Sequence, residues 1–205
     1  MRLATVALIA LVMLGTTNAV GQGHPPALKM HRQQAGVLDR SGWTGAQSTE
    51  GSFSVKLPCL FNDFSVDTSA EPGALLKAFT VGCLRADRRK FSATRVQYRN
   101  GTRDARYYFD KNATGAAFPN TRVSRSTYEG MPVIDIETSG GTVCGFLRFV
   151  FANEDNFVLT VEAPQGIACQ GLDAQSTQFF ASLVVAPRTT QPPPRTPAGH
   201  PDIIH

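Results

Sequence analysis

Apolar and polar positions alternate most clearly over residues 143–164, where two runs rich in aromatic and β-branched residues flank a polar tetrad at 153–156. This pattern predicts a β-hairpin. A five-residue loop, 153–157, sets Phe151 opposite Leu159, Phe149 opposite Val161 and Leu147 opposite Ala163, which makes one face continuously apolar. The same register places Arg148 across from Glu162, an opposite-charge pair on the other face.

Further elements follow from the same reading. Residues 51–58 alternate strictly, with Phe53, Val55 and Leu57 on one face and Pro58 ending the strand. Residues 65–73 read as loop. A second hairpin spans 75–84 and 91–98 around the charged loop 85–90. Thr102 is placed to cap a short helix over 103–111 with Ala105, Tyr108 and Phe109 inward. Strands follow over 122–128 and 132–137, and Gly140-Gly141 turns the chain into Val143. A last helix runs over 173–184, with Leu172, Ser176, Phe179, Phe180 and Leu183 on one stripe. Strands grouped together with two helices, without strict β-α-β alternation, predict an α+β fold: a largely antiparallel sheet of about six to seven strands with two helices packed on it.

The ends of the chain differ from its middle. Met1-Arg2, an apolar run over 3–14 and small residues at Thr17 and Ala19 describe a signal peptide over 1–19. The apolar run falls short of the roughly 20 residues a membrane span needs, and no later stretch is apolar enough, so no transmembrane segment is expected. Residues 20–42 mix Gly, Pro and Gln without apolar period and read as a flexible leader. Residues 188–205 form a Pro-rich tail expected to be disordered. One domain, 43–187, lies between them.

Four cysteines, Cys59, Cys83, Cys144 and Cys169, all lie beyond the signal peptide. An even count in an exported chain implies two disulfides, with three possible connectivities. Strand phase puts Cys59 with Phe53, Val55 and Leu57, and Cys83 with Phe79 and Val81, which favours Cys59–Cys83 with Cys144–Cys169. No spacing is C-x-x-C, so thioredoxin-like chemistry and zinc ribbons have no support.

The segment G-S-F-S-V-K-L-P, the hairpin-built sheet and the closing F-F-A-S-L helix resemble the PsbP-like α-β-α sandwich group of small exported proteins, over residues 43–187. The resemblance implies that sandwich and a non-catalytic role. It carries no functional residue across, because no metal-binding histidine or protein-contacting surface of the group matches a position here.

Candidate chemistry is sparse. The histidines, His24, His31, His200 and His205, all fall in the expected leader or tail, which removes Ser-His-Asp and Cys-His arrangements and histidine-ligated zinc from the domain. No metal or cofactor is expected. Asp135 and Glu137 share a strand face about 7 Å apart along it, a spacing a glycosidase could use if a deep sugar cleft stood over them.

The formal charge of +4 is unevenly spread. Residues 85–125 carry 11 Lys/Arg against 3 Asp/Glu, whereas 129–173 carry 7 acids against Arg148. Either the molecule is electrically two-sided, or the two blocks are neighbours that neutralise each other. Arg85, Arg88, Arg89 and Lys90 are the candidate anion-binding residues. Arginines interleaved with aromatics also suit single strands of nucleic acid, but export makes that partner unexpected. The reading is an exported, non-enzymatic binding or accessory module of the cell envelope, secreted or periplasmic. Its expected partner is an envelope protein or an anionic polymer or lipid surface. The alternative is an envelope hydrolase using the carboxylate pair.

Overall fold

The computed structural model describes residues 27–68, 75–98, 121–138, 143–152, 155–164 and 172–186. The signal peptide over 1–19, the helix over 103–111, the tail and the pairing of Cys144 with Cys169 lie outside the described residues.

Eight strands form one antiparallel sheet: β1 (Ala27–Ala35), β4 (Phe61–Asp67), β5 (Leu75–Leu84), β6 (Lys90–Tyr98), β10 (Asp155–Pro164), β9 (Val143–Ala152), β8 (Met131–Thr138) and β7 (Thr121–Tyr128), in that spatial order. A second sheet of three strands, β11 (Val184–Val185), β3 (Phe53–Leu57) and β2 (Thr44–Gln47), and one helix, α1 (Leu172–Phe180), share the main core with it. The class is α+β. The described strands exceed the six to seven expected, and one helix rather than two stands among the described residues.

The core lies between the two sheets. Phe53, Val55 and Leu57 of β3, Phe179 and Phe180 at the end of α1, and Leu183 just past it are buried against Phe79, Val81, Phe91, Ala93, Phe157, Leu159 and Val161. Phe91 meets Trp43 and Phe179 edge-on, at centroid distances of 6.4 and 5.8 Å, a geometry that suits the ring quadrupoles. The strand over 51–58 and the stripe Ser176, Phe179, Phe180, Leu183 bury the face the pattern predicts. The helix stops at Phe180, and Val184–Val185 pairs with β3 instead of extending it.

The β9–β10 hairpin forms, but with a different register. Ala152 pairs with Asp155 across a two-residue connection, so Val150 stands opposite Phe157 and Phe149 opposite Val158. Phe157, Leu159, Val161 and Ala163 enter the main core with Val150, whereas Phe149 and Phe151 join Ile134 in a second cluster on the opposite face. Apolar residues occupy both faces of β9, so hydrophobicity alone does not choose between registers. Arg148 faces Leu159 in β10 and Asp135 in β8, and Glu162 lies beside Lys90 of β6.

Order also begins earlier than the pattern predicts. Residues 27–35, read as leader, form β1 on the edge of the large sheet, and 61–67, read partly as loop, form β4. Gly36 closes β1 at φ +102°, where an added Cβ would come within 2.5 Å of Thr44 Oγ1. Thr44 Oγ1 also accepts the Val37 amide at 3.1 Å, fixing the path of the chain out of the sheet.

Candidate functional site

The basic loop 85–90 is the turn between β5 and β6. Arg88 sits exposed at φ 64°, and the turn is closed by Arg85 N–H donating to Arg89 O at 3.0 Å and Arg88 N–H to Arg85 O at 2.9 Å. Asp87 lies within this loop, 3.4 Å from Arg85 and 3.5 Å from Arg89. Arg89 also donates to Gln175 of α1 at 2.9 Å. Lys90 stands 4.0 Å from Glu162, whose carboxyl burial pushes above the usual carboxylate value, against the opposing pull of Lys90. The basic strand β6 and the acid-bearing β10 are thus neighbours in the sheet, as are β7 and β8.

The carboxylate pair is differently placed. Arg148 grips Asp135 bidentately, Nε to Oδ1 at 2.7 Å and Nη2 to Oδ2 at 2.9 Å, and its guanidinium lies 4.9 Å from the centre of the Phe180 ring. Glu137 faces Phe146. Glu162, expected opposite Arg148, pairs instead with Gly145 and follows the shifted register to the other face.

His31 corrects the expectation that the domain holds no histidine. It lies in β1, with Nε2 3.0 Å from Ser65 Oγ and 3.6 Å from Glu50 Oε2. Serine, histidine and glutamate are therefore assembled, but both partners meet the same ring nitrogen. A nucleophilic triad needs the acid on the opposite one, so the contacts fit a structural role. Lys29 donates to Glu50 at 2.6 Å and holds that carboxyl below its usual range. Next to this group Asp63, with no exposed surface, accepts at Oδ2 from Arg32 Nε (3.1 Å) and Nη2 (2.9 Å), the Thr49 amide (2.9 Å) and Thr49 Oγ1 (2.5 Å). These side chains hold the edge strand β1 to β4.

An open groove of about 670 Å³ lies at the end of the sandwich nearest the β5–β6 turn. Three connections and one helix build it. The β1–β2 connection supplies Leu38 and Trp43. Its turn is fixed by Asp39, whose Oδ1 accepts the Ser41 amide (2.8 Å), the Ser41 hydroxyl (2.6 Å) and the Trp43 amide (3.1 Å). Those bonds, that of the Ser41 side chain first, hold the Asp39 carboxyl below its usual range. The β3–β4 turn supplies Pro58, Cys59 and Leu60, and the β5–β6 turn supplies Leu84 and Arg85. Gln175 and Gln178 reach in from α1. The Cys59–Cys83 disulfide, Cα–Cα 5.9 Å, joins the second of these connections to β5, as strand phase predicts.

Leu38, Leu60 and Leu84 are exposed by 46, 37 and 47%, and Val37, also exposed, adjoins Leu38 in the chain. Among the described residues of the lining, Arg85 is the one charged group, with no carboxylate and no histidine. Sequence reasoning found Arg85 and Cys59 with its bond to Cys83, and missed the leucines. The three leucines lie in separate turns, and only the fold brings them together.

Among the described residues no helix is long and apolar enough to cross a membrane, and the disulfide fits an oxidising compartment. No family model matches the chain, and no curated protein sequence matches it. Among solved structures, cyanobacterial PsbP (CyanoP) from Synechocystis sp. PCC 6803 aligns with a TM-score of 0.41 at 10% identity, over 84% of this chain and 98% of that one. The resemblance to PsbP read in the sequence is met as a distant likeness of fold, and no site residue or activity is carried over from it.

Proposed function

We propose that this chain is an exported, non-enzymatic binding or accessory module of the cell envelope, and that it binds through the groove at the end of the sandwich. The observation that carries this reading is the groove's chemistry: exposed leucines over Trp43 and the disulfide, one cation at the rim, and no acid–base or nucleophile pair among its described lining. Large apolar side chains gathered at one exposed place mark interaction sites. Arg85 favours a ligand that is anionic in part. The alternative, a hydrolase using Asp135 and Glu137, has less support, since Asp135 is tied to Arg148 and neither residue lines the groove.

A test uses bis-ANS, a probe with apolar rings and sulfonates, and the emission of Trp43, the one tryptophan of the chain. One probe per chain should bind saturably and quench Trp43, and Leu60→Asp with Leu84→Asp should abolish this without lowering the melting temperature. Equal binding by both proteins would contradict the reading.

A further inference from the structure

The groove is open, its leucines are exposed, and its lining carries three side-chain amides, Gln34, Gln175 and Gln178. An alkyl chain lying in such a groove would keep part of its surface in water, and its driving force scales with the apolar area removed. A polypeptide loses less, because amides both donate to and accept from a main chain while the leucines take its apolar side chains. Charge narrows the choice further. Asp87 is shared between Arg85, which lines the groove, and Arg89, so two guanidiniums meet one carboxylate in the adjoining turn and the local balance stays positive. An acidic group is the complement.

We infer that the groove receives an extended segment of a partner protein in which an acidic side chain sits between large apolar ones, the carboxylate on Arg85 and the apolar groups on Leu38, Leu60 and Leu84. This rests on the binding-module reading and names its partner class. The disulfide then has a part in recognition, since Cys59 lines the groove between Pro58 and Leu60 and its bond to Cys83 anchors that wall to β5.

The experiment selects a random displayed-peptide library on the full chain. Enriched peptides are synthesised and assayed by displacement of bis-ANS and by Trp43 emission. The expected result is enrichment of Asp or Glu within a few positions of Leu, Ile or Phe. Affinity should fall about fivefold on Arg85→Gln, the scale of an exposed ion pair, and replacing the peptide's acid by its amide should cost Arg85→Gln little more. An unchanged melting temperature serves as the folding control. Enriched peptides without acid preference, or binding indifferent to Arg85→Gln, overturn the inference. If bis-ANS binds but no peptide is enriched, the inference falls while the binding-module reading stands. If bis-ANS does not bind, both fall.

Discussion

The buried carboxylate of Asp63 gives a sharp stability prediction, because its two partners respond differently to its loss. Oδ2 accepts from Arg32 and from the Thr49 amide and hydroxyl, and Oδ1 has no hydrogen-bond partner among the described residues. In Asp63→Ala, Arg32, whose side chain is 39% exposed, turns to water, while the Thr49 amide loses its acceptor at a cost of about 1–3 kcal/mol. Releasing the desolvated carboxylate offsets part of the total, leaving a destabilisation of about 2 kcal/mol. Arg32→Ala is worse, because it leaves the carboxylate buried without its cation, a loss of about 3–5 kcal/mol at pH 7. The double variant should fall well short of the sum, with a coupling energy of at least about 1.5 kcal/mol. Urea unfolding of the four proteins measures the cycle, and amide exchange should show β1 opening first in Arg32→Ala. A coupling below about 0.5 kcal/mol, or Asp63→Ala as the more damaging variant, would refute the reasoning that this pair holds β1 to the sheet.

Other outcomes follow from neighbouring features. Burial raises the Glu162 carboxyl on folding from its ordinary 4.5. A carboxyl so raised contributes stability below its unfolded value that is lost as pH rises through the folded one. Glu162→Gln should therefore stabilise the protein by up to about 1 kcal/mol at pH 7 and not at pH 4, and destabilisation at pH 7 would mean that the Lys90 ion pair dominates. Removing the Cys59–Cys83 bond, with a sequence separation of 24, should cost about 3–4 kcal/mol by loop entropy, read from melts of Cys59→Ser/Cys83→Ser against wild type. Arg148→Met should cost about 1–2 kcal/mol by freeing Asp135 and removing the contact over Phe180, yet leave bis-ANS binding unchanged. A loss of binding there would return attention to the sheet face.

What the sequence made legible follows from where hydrophobicity and position agree. Phe53, Val55 and Leu57, the β5–β6 hairpin and the stripe Ser176, Phe179, Phe180, Leu183 could be read because inward positions are mostly apolar and outward ones mostly polar. β1 and β4 could not, since their inward contacts include Arg32, His31, Asp63 and Ser65, which satisfy one another across the strand pair. Such a polar pair looks like loop until both strands are seen together. The register of β9 against β10 was obscured for the opposite reason, as Phe149 and Val150 are both buried, on opposite faces. Of the groove, Arg85 and the disulfide were legible; Leu38, Leu60 and Leu84 have no local pattern, and their meeting depends on the order of strands.

Amide chemical-shift mapping decides whether recognition takes place in the groove. The full chain is titrated with bis-ANS and then with a peptide enriched on it. The largest shifts are expected at Leu38, Trp43, Leu60, Leu84 and Arg85, with Asp135 and Glu137 unmoved. Shifts centred instead on Asp135, Glu137 and β7 would contradict recognition in the groove.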